Sequence, residues 1–282
     1  MDTPAAALRW DADALQSALA AHWPGSSVEV AATCDSTNTA LVERARAGDA
    51  APRVLVAEQQ TAGRGRQGRA WASVPGGSLT FSIAVPYAPA DWQGLSLVVG
   101  AVVAEALDPA GEVPRGPRIA LKWPNDLWLA EGPGRGRKLA GILIETVASG
   151  TQRVAVIGIG VNVLRAALPE VAAAASTGAA AWQEVDPRAS APLALARLLP
   201  PLAAALHRFE REGYAPWAAA YARRDLLRGC RVSTTQAGAE AGVAEGTDAR
   251  GALLVRTDDG SVQAIVGGEV SVRPAAQALG AA

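Results

Sequence analysis

The chain of 282 residues holds two histidines, two cysteines and, among its 26 basic residues, two lysines, and each scarcity removes a class of chemistry. His22 and His207 stand apart from every glycine motif and from any candidate nucleophile, which disfavours Ser-His-Asp and Cys-His catalysis. Cys34 and Cys230 are isolated thiols without metal-type spacing, so neither a disulfide framework nor a zinc site is supported. Every apolar run is interrupted by Pro, Gly or charge before it reaches the length of a membrane span, and the first residues carry acids rather than a basic-then-apolar leader. The expectation is a cytoplasmic protein with no membrane partner. The net charge of −1 argues against a general nucleic-acid binder while permitting a local basic site. The lysine scarcity is the most specific of these signals. Where almost every cation is Arg, Lys122 and Lys138 mark places that call for a compact, rotatable point charge.

What is present in abundance is glycine beside arginine. Gly63-Arg64-Gly65-Arg66-Gln67-Gly68-Arg69 alternates residues that let the backbone approach a ligand with forked, permanent positive charges. It fits Gly-x-Gly-x-x-Gly, but Pro75-Gly76-Gly77 stops the helix that a dinucleotide fingerprint needs. Arg69 and Ala70 stand where a P-loop requires Lys and then Ser or Thr. The remaining reading is a mobile anion-handling loop; a solvated turn and an arginine-glycine RNA-binding segment stay open for the loop alone.

In chain order, helical spacing over 11–21 precedes a strand over 28–32. Ser36-Thr37-Asn38 then opens a helix over about 39–47, either as a plain N-cap or as a ligand site using the same free donors. Strands follow over 53–58 and 78–85, the second alternating Leu79, Phe81, Ile83 and Val85 as if half-buried. A helix over 95–107, a short strand over 119–122, the turn Trp123-Pro124-Asn125-Asp126 and a hairpin of 127–129 with 139–146 come next. Residues 153–163 form an apolar strand whose Gly158 and Gly160 signal the close approach of a ligand or another backbone. The alanine-rich 166–181 reads as helix or loop, and helices are expected over 192–211 and 214–227. From Gly229 onward short strands over 231–234, 253–256, 262–266 and 270–273 suggest a small barrel.

With these pieces in order, the chain resembles the bacterial biotin protein ligases. The motifs that carry the resemblance are Ser36-Thr37-Asn38, Gln60 with the Gly63–Arg69 loop and Trp71, Lys122-Trp123-Pro124-Asn125-Asp126-Leu127, the run from Lys138 to Glu145, Gly158 to Val163, and Gly267 to Arg273. The resemblance implies an α/β (α+β) fold with a central mixed sheet flanked by helices, related to class II aminoacyl-tRNA synthetases. It places a catalytic domain over 1–228 and an SH3-like barrel over 229–282. It implies that biotin and ATP give biotinyl-5'-AMP and pyrophosphate, and that a lysine of the biotin carboxyl carrier protein then takes the biotinyl group.

Site roles follow only from that resemblance. Lys138, Arg66 and Arg69 are the implied catalytic cations. Biotin is assigned to Ser36, Thr37, Asn38, Gln60, Arg64, Gly65, Arg66, Lys138, Gly141 and Ile142. The nucleotide falls to Arg66, Arg69, Trp71, Lys122, Asn125, Asp126, Asn162 and Arg273, with Mg2+ carried by the ATP phosphates and no metal ligand from the protein. Many members of the family begin with a helix-turn-helix that binds operator DNA. Residues 1–35 hold one basic residue, Arg9, against Asp2, Asp11, Asp13, Glu29 and Asp35, so the expectation is a monofunctional enzyme without sequence-specific DNA binding, a monomer or weak homodimer. A lipoate or octanoyl ligase of the same superfamily, and a non-catalytic biotin or RNA binder, are the competing readings.

Overall fold

The computed structural model describes residues 8–109, 118–168, 178–267 and 271–274. The chain divides into two compact units, residues 1–87 with 143–204 and residues 88–142 with 205–282. In the first unit, β1 (Ser27–Cys34) runs parallel to β2 (Arg53–Gln60), which pairs antiparallel with β3 (Ser78–Pro86), itself antiparallel to β7 (Gln152–Asn162). A parallel pair needs a crossover, and α2 (Thr37–Arg46) supplies it. In the second unit, β4 (Ile119–Lys122), β5 (Asp126–Gly132) and the first part of β6 (Arg135–Ser149) form an antiparallel meander. The strand order of the sheet is β1-β2-β3-β7-β6-β5-β4, a mixed sheet as the resemblance implies.

Leu41, Val42 and Ala45 on one stripe of α2 pack against Leu55, Ala84, Val154 and Val156, so the body of this helix sits on an apolar sheet face. Strand β3 departs from the half-buried expectation: Ser78 to Val85 are buried on both faces, with Ser78, Thr80 and Ser82 among them. Helix α3 (Leu95–Leu107) is apolar nearly all round and correspondingly buried from Leu95 through Leu107 save Ser96, Glu105 and Ala106. Helix α4 (Ala191–Glu212) buries Leu195, Leu198, Leu199, Leu202, Leu206 and Phe209 at helical spacing.

The expected helix over 214–227 is much shorter. A single 3-10 turn at Ala215–Trp217 leads into α5 (Ala218–Ala222), and the chain then turns so that Leu121 donates its N–H to the Arg224 carbonyl at 2.7 Å and accepts from Leu226 N–H at 3.0 Å. Arg224 explains the stop. Its side chain is 3% exposed and bonds the Ile119 carbonyl (3.0 Å), the Asp108 carboxylate (3.3 Å) and Glu105 (2.8 Å), a set reached only when the helix has ended.

The C-terminal strands β8 (Arg231–Thr234), β9 (Ala241–Thr247), β10 (Leu253–Arg256), β11 (Val262–Ile265) and β12 (Val272–Pro274) form an antiparallel sheet in the order β11-β10-β9-β8-β12. Strand β9 was not expected, because Gly242 and Gly246 break its apolar pattern; Gly242 is required where a side chain would meet Val255 and the Arg256 carbonyl. The sheet is open among the described residues, so closure into a barrel is not seen. Most of the expected alanine-rich element (169–177) and residues 268–270 of the Gly267–Arg273 motif lie outside the described residues.

Arg224→Met should destabilise the protein by about 3 kcal/mol, since it strands the Asp108 carboxylate, 2% exposed, with only backbone donors. Arg231→Ala, which opens the exposed Arg231–Asp258 pair, should leave the urea midpoint unchanged. Equal shifts for the two variants would refute this ranking.

Candidate functional site

The sheet face beneath α2 changes character along its strands. Cross-strand partners share a face, and moving away from the apolar patch the partners become Leu55, Ser82 and Gly158, then Ala57, Thr80 and Gly160, then Ser78 with Asn162. The first turn of α2 lies at this polar end. Ser36 caps the helix as expected, its Oγ accepting the Thr39 N–H at 3.4 Å, and Ser36, Thr37 and Asn38 are all buried.

Burial obliges these groups to bond one another. The Thr37 N–H donates to Gln60 Oε1 at 2.8 Å, and Thr37 Oγ1 lies 3.1 Å from the same atom and 2.7 Å from Ser82 Oγ. Ser82 donates to Asn38 Oδ1 at 2.6 Å; Asn38 Nδ2 donates to Glu145 Oε2 at 2.9 Å and to the Leu143 carbonyl at 3.3 Å. Glu145 Oε1 in turn meets Arg64 Nη2 at 3.2 Å, and Arg64 Nη1 reaches Thr39 Oγ1 at 3.2 Å. Thus Thr37, Asn38, Gln60 and Arg64, chosen from motifs far apart in sequence, fall into one network. Ser82, which no motif named, joins it, as does Glu145, the last residue of the Lys138–Glu145 motif; Thr80 lies on the same sheet face and donates to the Ala57 carbonyl at 2.9 Å.

The arginine loop follows β2. Its base is closed by backbone bonds, Trp71 N–H to Gly63 O at 2.8 Å and Gly65 N–H to Arg69 O at 2.6 Å, which qualifies the expectation of a wholly mobile segment. The tip turns through left-handed residues, Gln67 at φ 56° and Gly68 at φ 69°; only the glycine adopts that region without strain. Arg66 is half-buried at this tip, while Arg69 is exposed and donates to Gln67 Oε1 at 2.8 Å. The Trp71 ring lies against Gly160, where any side chain would overlap it, and Gly158 likewise makes room for the Asn38 amide. Those two glycines are the close approach that the sequence signalled.

A second group belongs to the other unit. Lys138 Nζ is 2.7 Å from Asp126 Oδ1, the two side chains 23% and 14% exposed. Asn125 grips Ile142 from both sides, its Nδ2 donating to the Ile142 carbonyl at 2.8 Å and its carbonyl accepting the Ile142 N–H at 3.0 Å. Asp126 pairs in register with Lys122 on one side and Gly141 on the other, and the Lys122 ammonium stands 5.4 Å from the Trp128 ring centroid. Both lysines of the chain therefore sit on the β4–β5–β6 meander, Lys122 at the end of β4 and Lys138 on β6, with Asn125, Asp126, Gly141 and Ile142. Trp123, by contrast, is a core residue whose indole N–H donates to the Gly251 carbonyl at 3.1 Å. Arg273 lies on β12 opposite Ser233. Among the described residues no three His, Cys, Asp or Glu gather where they could hold a metal ion.

A buried polar strip at a helix N-terminus, beside a triply cationic glycine loop, is the kind of arrangement that suits a small ligand with a polar head and a negative charge. The comparisons give the family. The sequence pattern of the biotin/lipoate A/B protein ligase family matches residues 30–162, and that of the biotin protein ligase C-terminal domain matches 229–273. The chain is 38% identical over 258 residues to the bifunctional ligase/repressor BirA of Escherichia coli, spanning 89% of this chain and 75% of that protein. It is 35% identical over 263 residues to the biotin–acetyl-CoA-carboxylase ligase of Mycobacterium tuberculosis, spanning 87% and 89%. The structure superposes on the Aquifex aeolicus biotin protein ligase solved with biotin and ATP, with a TM-score of 0.69, 28% identity, and coverage of 89% of this chain and 100% of that one. The chain belongs to the biotin protein ligases.

Gly158→Ala should cost about 1–3 kcal/mol of stability, because the methyl overlaps Asn38 Oδ1 inside a buried network. Gly267→Ala, with open space around it, should be neutral, and equal urea midpoints for the two variants would refute the packing argument.

Proposed function

We infer that this chain joins biotin to AMP using ATP, with release of pyrophosphate, and passes the biotinyl group to a lysine of a carrier protein. The observation that carries this is the coincidence of the polar strip and the lysine turn with the family motifs, in a chain similar over nearly its whole length to enzymes of that activity.

In the first half-reaction a carboxylate oxygen of biotin attacks the α-phosphorus and pyrophosphate departs. In the second, the neutral ε-amine of the carrier lysine attacks the acyl carbon of the mixed anhydride and AMP departs. Bringing carboxylate against phosphate sets anion against anion, so the chain must supply fixed positive charge. We assign that task to Lys138, with Arg66 and Arg69 on the phosphoryl oxygens. Asp126 holds the Lys138 ammonium in place, and a point charge with three donors can follow the reacting oxygens as their geometry changes.

The urea of biotin is assigned to Thr37 and Gln60, beside Ser36 and Asn38, with Arg64 and Gly65 at the loop base; Gly141 and Ile142 are also assigned to biotin. Trp71, Lys122, Asn125, Asp126, Asn162 and Arg273 are assigned to the nucleotide. With no acidic cluster to bind it among the described residues, Mg2+ would ride on the triphosphate, offsetting its charge. The loop also keeps water from the anhydride.

The finer organisation is proposed on the same footing: a catalytic domain over 1–228, a C-terminal SH3-like domain over 229–282, the carrier protein of a biotin-dependent carboxylase as acceptor, a cytoplasmic location and a monomer or weak homodimer. The separate C-terminal sheet and the family match at 229–273 support the domain division.

Wild-type protein should catalyse biotin-dependent exchange of labelled pyrophosphate into ATP, and neither lipoate nor octanoate should replace biotin. Lys138→Ala should fold but lose at least about a hundredfold in exchange, roughly 2.7 kcal/mol of transition-state stabilisation, and Lys138→Arg should not restore it. Near wild-type exchange by folded Lys138→Ala would remove that assignment.

The chain is further proposed to act without reading DNA. The segment that holds α1 (Ala12–Ala20) carries one basic residue, Arg9, against acids at Asp2, Asp11, Asp13, Glu29 and Asp35, a balance that a phosphate backbone repels. Gel-shift titrations with biotin and ATP at physiological salt should show no sequence-selective retardation; a salt-dependent, sequence-selective complex would overturn this.

A further inference from the structure

The buried strip contains one carboxylate to which neither the family motifs nor the assignments above give a task. Resting on the reading of this site as the biotin site, we propose that Glu145 is a positioning residue for biotin activation: it sets the direction of the hydrogen-bond chain that ends at Thr37 and Gln60, and it tethers the first arginine of the glycine loop.

The direction follows from counting protons. An ionised carboxylate only accepts, so the Asn38 group 2.9 Å from Glu145 Oε2 must be the amide nitrogen, as its second contact with the Leu143 carbonyl also requires. Asn38 Oδ1 therefore faces Ser82, and Ser82 must give its single proton to it across 2.6 Å. Ser82 Oγ can then only accept in its 2.7 Å contact with Thr37 Oγ1, so the Thr37 proton points to Ser82 and not to Gln60 Oε1. Gln60 Oε1 is held instead by the Thr37 N–H at 2.8 Å, which turns the Gln60 amide N–H groups away from Thr37. The result is a fixed pattern, Thr37 Oγ1 offering lone pairs and Gln60 Nε2 offering protons. A urea presents N–H donors and a carbonyl acceptor, and that pattern complements it. A hydroxyl or carboxamide left to reorient would present the wrong polarity part of the time, and a buried donor facing a donor loses the bond and its solvation together.

The second oxygen of Glu145 carries the other role. Oε1 meets Arg64 Nη2 at 3.2 Å while Arg64 Nη1 donates to Thr39 Oγ1 at 3.2 Å, so the guanidinium bridges β6 and the first turn of α2. The pair is partly exposed, 49% and 26%, so its value lies in orienting the loop base more than in stability. One side chain thus serves both the urea end of the site and the loop.

The test measures KM for biotin, KM for ATP and kcat in pyrophosphate exchange for Glu145→Gln, Glu145→Ala and Ser82→Ala, with thermal melts as the folding control. Ser82→Ala removes one oxygen and cuts the chain without touching the loop. It should raise KM for biotin about tenfold and leave KM for ATP within about twofold. Glu145→Gln turns one amide nitrogen against Asn38 or Arg64 and should raise KM for biotin at least as much; Glu145→Ala should in addition lower kcat as the loop base is released. An unchanged KM for biotin in folded Ser82→Ala and Glu145→Gln would overturn the proposal. So would parallel changes in both KM values tracking a lowered melting temperature, the signature of a merely structural role. Should Glu145→Gln fail to fold, Ser82→Ala decides alone. Absence of biotin-dependent exchange in the wild-type protein would instead refute the function proposed above.

Discussion

The site in the first unit depends on one constraint, that polar atoms placed under the start of α2 have no water to bond and must satisfy one another. Thr37, Asn38 and Ser82 are each at most 3% exposed, and their partners come from β2, β3 and β6 as well as the helix itself. Because every bond in the series has a donor and an acceptor, satisfying the network also fixes which way each group points. Apolar packing between α2 and Leu55, Ala84 and Val156 holds the helix down. The polar end of the same contact decides what the helix presents.

The same economy governs charge. Arg is used where a cation bridges fixed partners, as Arg64 does between Glu145 and Thr39 and Arg224 does between Glu105, Asp108 and Ile119. Lys is kept for one meander, where Lys122 faces an aromatic ring and Lys138 meets the Asp126 carboxylate. A forked guanidinium held by several acceptors resists movement, whereas a compact ammonium with rotatable donors can pivot. The composition, two lysines among 26 basic residues, is thus a trace of two different mechanical demands.

Much of this was legible in the sequence, and the exceptions share a cause. Helix α3, strands β4, β8 and β10 and the crossover after β1 follow from periodicity and turn residues, because their burial is one-sided or complete in the ordinary way. Strand β3 does not. Its alternation of Ser and Thr with Leu, Phe and Ile is what a strand with one wet face would show, and a face turned toward a buried helix N-terminus carries the same residues. The half-buried reading therefore misses the burial of Ser82 and Thr80, and the Asn38–Glu145 bond spans 107 residues of sequence that no local pattern signals. Helix α5 was overestimated because nothing local marks the end: the residue that stops it, Arg224, finds its partners more than a hundred residues away in sequence. Strand β9 was missed because its glycines do not mark a turn: Gly242 serves packing against β10, and Gly246 takes a left-handed backbone at φ 107° inside the strand.

Gly158 and Gly160 show how stability and function are joined here. Both lie on the sheet face that β7 turns toward α2 and the loop, two residues apart, and each is needed because a specific side chain, Asn38 or Trp71, occupies the space where a Cβ would stand. Glycine weakens a strand interior by giving up side-chain packing and restricting a more flexible chain. Here the loss is offset from outside the strand, by the Asn38 amide bonded to Glu145 and Ser82 and by the Trp71 ring whose backbone closes the arginine loop. The pieces assigned above to the ligand are therefore also the pieces that repack the weakened strand. Loosening any one of them alters the sheet beneath as well as the site above, which is why substitutions in this strip must be read through two KM values and a melting curve together.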